Sequence, residues 1–153
     1  MVNQYDLLAQ RGKTIMKPSG GIVMKTVLTT KEAPEAIGPY SQGIVNRGDT
    51  IFVSGQIPVD PSNGMINGTD IETQARQSLK NVGAVLIAAG ATYDDVVKTT
   101  CFIKDMKDFA AFNKVYSEFF KCNCPARSCV AVKELPKGAL CEIEVIAIKE
   151  HSK

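Results

Sequence analysis

Histidine and tryptophan are almost missing from this chain of 153 residues, which contains one histidine, His151, and no tryptophan. A serine or cysteine nucleophile usually depends on a neighbouring histidine as its base. A single histidine near the end of the chain therefore argues against Ser-His-Asp and Cys-His catalysis. We expect any chemistry to depend on arginine, glutamate, tyrosine, backbone groups and water.

The chain also has little excess of either charge, because it contains 18 Lys and Arg residues and 16 Asp and Glu residues, which give a net charge of +2. Proteins that bind nucleic acids commonly carry a much stronger basic field. No apolar run approaches the length of a membrane span. We therefore expect an intracellular protein, cytoplasmic unless its N-terminal stretch is a native mitochondrial signal, with no membrane partner and no nucleic-acid partner.

The cysteines do not form a disulfide framework, since their number is odd and their spacing irregular: Cys101, Cys122, Cys124, Cys129 and Cys141. This usage fits a reducing compartment. The pair Cys122 and Cys124 could suggest a metal, but structural zinc needs four ligands. The chain also lacks a phosphate-binding glycine loop. We therefore predict that it needs no metal, nucleotide or other cofactor.

The chain has the composition of one globular domain, with 44% hydrophobic and 22% charged residues. Residues 1–23 show no regular apolar pattern, and such a pattern begins at Met24. We predict an N-terminal extension over 1–23, a domain over 24–150 and a tail over 151–153. The extension could be an expression leader, an extended start or an organellar transit peptide.

Five segments have the β-branched and apolar residues typical of strands, and a sixth, at 25–28, is a possible edge strand. The five are 43–46, 50–54, 96–104, 128–132 and 140–149. The turn Arg47-Gly48-Asp49 between the first two predicts a β-hairpin. A turn over 135–138 separates the last two.

Two helices are predicted between these strands. The first has a capping box over Thr69 to Glu72 and helical spacing of apolar residues until Gly90. The second begins after Asp108 and has one aromatic face, made of Phe109, Phe112, Tyr116 and Phe119. This order predicts an α+β domain with both helices on one face of a mixed sheet. Self-association is the simplest cover for the other face.

The segment 125–132, PARSCVAV, carries an arginine in a strand. Alternation places Arg127, Cys129 and Ala131 on one face. A guanidinium among small residues leaves room for a planar anion, and Glu142 follows fifteen residues later. Alternatively, this arginine forms an ion pair with an acidic side chain.

Seven motifs in order make this sequence resemble the RidA (YjgF) family across almost the whole domain. They are 36–42 (AIGPYSQ), 53–60 (VSGQIPVD), 73–82 (TQARQSLKNV), 97–100 (VKTT), 112–116 (FNKVY), 125–128 (PARS) and the strand with Glu142. The resemblance implies a chorismate-mutase-like fold with a mixed six-stranded sheet. It also implies a homotrimer whose sheets close a central barrel, with ligand clefts between subunits.

The same resemblance assigns the site residues. Arg127 corresponds to the arginine that binds a carboxylate, Glu142 to a glutamate in the cleft and Tyr40 to a tyrosine in a loop, and these three are the predicted catalytic residues. The remaining substrate-binding residues are Ser54, Gly55, Asn113 and Cys129. Cys141 stands where the family commonly has a branched aliphatic residue.

The implied activity is that of a 2-iminobutanoate/2-iminopropanoate deaminase, a hydrolase that converts 2-imino acids such as 2-aminoacrylate and 2-aminocrotonate to 2-oxo acids and ammonia. Two alternatives stay open: a carboxylate-binding or chaperone-like trimer without catalysis, and an RNA-directed translation inhibitor or ribonuclease. Each site residue also has a structural alternative. Glu142 could only neutralise Arg127, Tyr40 and Ser54 could pack in a turn and at a strand end, Asn113 could be a surface amide, and Cys129 a small neighbour.

Overall fold

The computed structural model describes residues 13–16, 22–33, 35–46 and 48–149, with backbone only at 13–16 and 22–24. His151, the tail and most of the predicted extension lie outside the described residues. A strand, β1 (Lys13–Met16), lies within the predicted extension and pairs with the next strand.

The described strands form two sheets. A three-stranded antiparallel sheet has the order β1, β2 (Ile22–Leu28) and β3 (Gly43–Val45). The second sheet contains β4 (Asp49–Gln56), β5 (Val96–Ile103), β6 (Ala126–Ala131) and β7 (Cys141–Lys149) in the order β4-β7-β5-β6. Only β5 and β6 run parallel in this mixed sheet.

The predicted α+β class with two helices and a mixed sheet is confirmed, but the single six-stranded sheet is not observed. The predicted hairpin of 43–46 with 50–54 is wrong, because β3 pairs with β2 and β4 pairs with β7. The two strands belong to different sheets. The predicted edge strand at 25–28 falls within β2.

The two helices are α1 (Ile71–Ala88) and α2 (Phe109–Phe119). The first N-cap is Asp70, one residue later than predicted, since its carboxylate accepts a 2.8 Å hydrogen bond from the Thr73 amide. Gly90 follows α1 with φ +67, as expected for a residue that closes a helix. The Asp108 side chain makes no capping bond to α2.

The core lies between the helices and one face of the four-stranded sheet. It includes Leu79 and Val82 of α1, Phe112 and Tyr116 of α2 and, from the sheet, Cys101, Ile103, Cys141, Ile143 and Val145. The predicted aromatic face of α2 is confirmed, because Phe109 and Phe119 pack against this core as well. No helix in the described part of the chain is long and apolar enough to span a membrane.

The opposite face of the four-stranded sheet carries apolar side chains that no described residue covers. Phe52 is 76% exposed and Val130 is 47% exposed on this outer face. Exposed apolar side chains on a sheet are typical of a surface that contacts another chain.

Candidate functional site

Arg127 lies at the second position of β6, and its side chain contacts α2. Its Nη1 donates a 2.7 Å hydrogen bond to Oδ1 of Asn113. Its Cζ lies 4.7 Å from the ring centroid of Tyr116, 5.6 Å from that of Phe109 and 5.8 Å from that of Tyr40. Three aromatic rings therefore surround a cation on the helix side of the sheet.

No ion pair among the described residues involves Arg127. The pairs observed there join Arg76 with Glu118, Lys107 with Asp105, and Lys114 with Glu72. Within the described part of one chain, Glu142 therefore forms no ion pair with Arg127. Only Nη1 is hydrogen-bonded within the described part, so the guanidinium keeps N–H donors for a ligand.

Tyr40 is held beside Arg127 by a loop that is fastened to the start of β6. The Ser41 amide donates to the Pro125 carbonyl at 3.0 Å, and the Ser41 hydroxyl donates to the Cys124 carbonyl. Ser41 also forms a parallel bridge with Ala126. A Cβ at Gly38 would lie 3.8 Å from Nη2 of Arg127, so this loop passes close to the guanidinium.

Cys129 shares the helix-side face with Arg127, as strand alternation predicted. Burial raises the pKa of the Cys129 thiol, and the charge of Arg127 offsets part of this effect. Burial also raises the pKa values of Cys101 and Cys141 to about 12. Thiols that stay protonated at neutral pH are poor nucleophiles.

Cys122 and Cys124 differ in their exposure and contacts. Cys122 is exposed, while Cys124 is half-buried and its Sγ donates to the Phe120 carbonyl at 3.3 Å. Within the ranges that the structure describes, no three or more His, Cys, Asp and Glu side chains are grouped to hold a metal ion.

Glu142 and Gly55 form a second group, between β7 and β4. A Cβ at Gly55 would lie 1.9 Å from Oε1 of Glu142 and 2.7 Å from its carboxyl carbon. Only glycine at this position allows the carboxylate to lie where it does. Ser54 is exposed beside them, and its carbonyl accepts from Nε2 of Gln56 at 3.0 Å.

The two groups lie on opposite faces of the same sheet. In the strand register, Arg127 is opposite Thr99 of β5, whereas Glu142 is opposite Phe102. Residues three apart on a strand point to opposite faces. Thr99 is fully buried on the helix side, which places Glu142 on the outer face. One chain therefore brings Tyr40, Asn113, Arg127 and Cys129 together, and places Ser54, Gly55 and Glu142 elsewhere.

The sequence prediction missed Phe109 and Tyr116 as neighbours of Arg127, having assigned them to the core. The spacing of these residues in the sequence could have indicated this contact. Phe109, Asn113 and Tyr116 stand at positions i, i+4 and i+7, so they share one stripe of α2. A predicted site residue within an aromatic stripe indicates that the stripe contributes to the site.

Comparison with known proteins gives consistent matches. The family model described as Endoribonuclease L-PSP matches residues 30–149. A RutC family protein of Pyrococcus horikoshii is 52% identical over 127 residues, which cover 83% of this chain and 100% of that protein. The 2-iminobutanoate/2-iminopropanoate deaminase of Salmonella typhimurium is 50% identical over 129 residues, covering 82% and 99%.

Solved structures agree with these sequence matches. The crystal structure of Escherichia coli TdcF with bound serine has a TM-score of 0.64 and 49% identity, covering 81% of this chain and 98% of that one. The motifs, the matched residues and the shared architecture lead to one conclusion: the chain belongs to the Endoribonuclease L-PSP family, which is the RidA (YjgF) family that its motifs predicted.

Proposed function

We propose that this protein hydrolyses 2-imino acids and their enamine tautomers, among them 2-aminoacrylate and 2-aminocrotonate, to 2-oxo acids and ammonia. Water adds to the electrophilic C2 carbon of the imine, the nitrogen takes a proton, and the carbinolamine then loses ammonia to leave a carbonyl. The protein needs to hold the substrate carboxylate, order one water and move protons.

The observation that carries this proposal is the environment of Arg127. Its guanidinium has no carboxylate partner among the described residues and keeps N–H donors at its edge. A planar fork of donors suits a carboxylate bound through two oxygens. Aromatic rings around it exclude water and strengthen the attraction. The amide nitrogen of Asn113 is a further donor beside this position.

Glu142 is the proposed group that orders the attacking water and accepts its proton, with the Tyr40 and Ser54 hydroxyls completing the water network. Within one chain, Glu142 and Arg127 are on opposite sheet faces. A shared cleft therefore requires a second copy. We propose a homotrimer in which Arg127 of one subunit faces Glu142 of another. The exposed Phe52 and Val130 on the outer face support such an assembly.

Binding of a small carboxylate without catalysis is the second candidate. The arrangement around Arg127 is complete within one chain and does not include Glu142. The TdcF structure contains bound serine, which also carries a carboxylate. A ligand-binding trimer would use this group of residues unchanged.

The experiment that separates these functions couples the protein to a threonine dehydratase and follows the appearance of 2-oxobutanoate. We expect faster appearance with the wild type and a loss of most of this acceleration in Arg127→Lys. Arg76→Lys is the matched control, because Arg76 is hydrogen-bonded to Glu118 in an exposed ion pair and not to the residues around Arg127. Binding of 2-oxobutanoate without acceleration would favour the second candidate. Because the family description names an endoribonuclease, an RNA substrate is assayed in parallel.

A further inference from the structure

Tyr116 connects α2 with the strand beside Arg127. Its side chain is fully buried, and its hydroxyl lies 2.8 Å from Oγ1 of Thr99. Thr99 is the Cα partner of Arg127 across β5 and β6. The ring therefore reaches from the helix to the strand and lies against the guanidinium, closer than the rings of Phe109 and Tyr40.

Other aromatic rings keep Tyr116 in this position. The ring centroid of Phe120 is 4.5 Å away at an interplanar angle of 32°, and that of Phe112 is 6.1 Å away at 33°. Both of these residues are buried. The Tyr116 ring is thus fixed at its hydroxyl by Thr99 and supported by packed rings, so it cannot move away from Arg127 without disturbing the core.

A carboxylate bound through two oxygens requires a guanidinium whose plane has a fixed orientation. The one hydrogen bond to Asn113 fixes Nη1 but allows the plane to turn about that bond. The Tyr116 ring, whose centroid lies 4.7 Å from Cζ, restricts this rotation. We propose that Tyr116 is a positioning residue that sets the plane of Arg127 for carboxylate binding. This inference rests on the role of Arg127 in the proposed function.

The test changes the electronic character of the ring while almost preserving its volume. Phenylalanine carrying none, one, two or three ring fluorines is incorporated at position 116, since fluorine weakens the negative face of the ring that attracts a cation. We expect the dissociation constant of 2-oxobutanoate to rise steadily along the series, by about three- to tenfold in total. A purely structural role of the ring would give no such trend.

The same series at position 120 is the matched control. Phe120 packs against Tyr116 but makes no cation contact with Arg127. Nitrogen-15 relaxation of the Arg127 Nε–Hε bond, identified by its loss in Arg127→Lys, gives a readout that needs no ligand. We expect larger motion of this bond with each fluorine at 116 and no change with the series at 120.

Two outcomes would overturn the inference. In the first, neither the affinity for 2-oxobutanoate nor the motion of the Arg127 Nε–Hε bond changes along the series at 116. In the second, the bond motion rises while the affinity stays constant. If the wild type binds no small carboxylate, the proposed function fails. The relaxation series still decides in that case whether the Tyr116 ring orders Arg127.

Discussion

Gly55 allows us to predict the effect of a single added methyl group. In Gly55→Ala, the new Cβ would lie 1.9 Å from Oε1 of Glu142, whereas ordinary contact begins near 3.4 Å. The carboxylate must therefore retreat by about 1.5 Å, and Cγ, at 3.0 Å, must also shift slightly. A displacement of about 1 Å in a reacting group can cost about 100-fold in rate. We expect turnover of the imine to fall by about that factor.

The fold should tolerate this change, because the displaced atoms are the end of a flexible, partly exposed side chain. We expect the melting temperature to change by only a few degrees. Gly43→Ala is the control, since its Cβ would meet the nearest atom, Leu28 Cδ1, at 3.4 Å. In a Glu142→Ala background the collision is absent, so Gly55→Ala should have little further effect on turnover. Wild-type turnover in the single Gly55→Ala variant would refute the catalytic placement of Glu142.

Four further predictions test other features. Arg127→Lys should lower carboxylate affinity at least tenfold without changing the mass of the assembly, because an ammonium does not reproduce a planar two-point contact; calorimetry with 2-oxobutanoate checks this. Glu142→Gln should lower turnover more than affinity, and the reverse in steady-state kinetics would make Glu142 a binding group. Burial lowers the pKa of Lys25 to about 8, with Asp94 and other groups partly offsetting the effect. The unfolded chain therefore holds a proton that the folded chain has lost between pH 8 and about 10.5, and the contribution of Lys25 to stability should rise across this window by about 3 kcal/mol. The buried thiols of Cys101 and Cys141 change stability in the opposite direction in both proteins, so the rise should appear in urea denaturation as the difference between the wild type and Lys25→Met. Light scattering should give the mass of three chains, and a monomer mass would exclude the shared cleft.

Local elements were predictable from local signals. The apolar spacing of α1, its end at Gly90 and the aromatic face of α2 follow from residues close in sequence, and the structure confirms each. The N-cap was misplaced by one residue because Thr69 and Asp70 both carry a side-chain oxygen that can accept from a helix amide.

The pairing of strands was harder to predict, because partners distant in sequence decide it. The turn around Gly48 suggested a hairpin, yet β4 pairs with β7, almost one hundred residues later. The sheet face on which Arg127 or Glu142 lies also depends on how distant strands pair. Alternation predicts the relative face of residues within one strand, but the register across β5 decides whether two strands present their residues to the same side.

The attachment of Ser41 to the start of β6 has a consequence for the rate at which ligands exchange. The Tyr40 loop and the strand that carries Arg127 are joined by two hydrogen bonds from Ser41, one of which is part of its bridge with Ala126, so we expect them to move together. A movement of the Tyr40 loop away from the strand would break these hydrogen bonds. Diffusion rather than loop opening should therefore limit ligand entry at Arg127, and the association rate should vary with solvent viscosity.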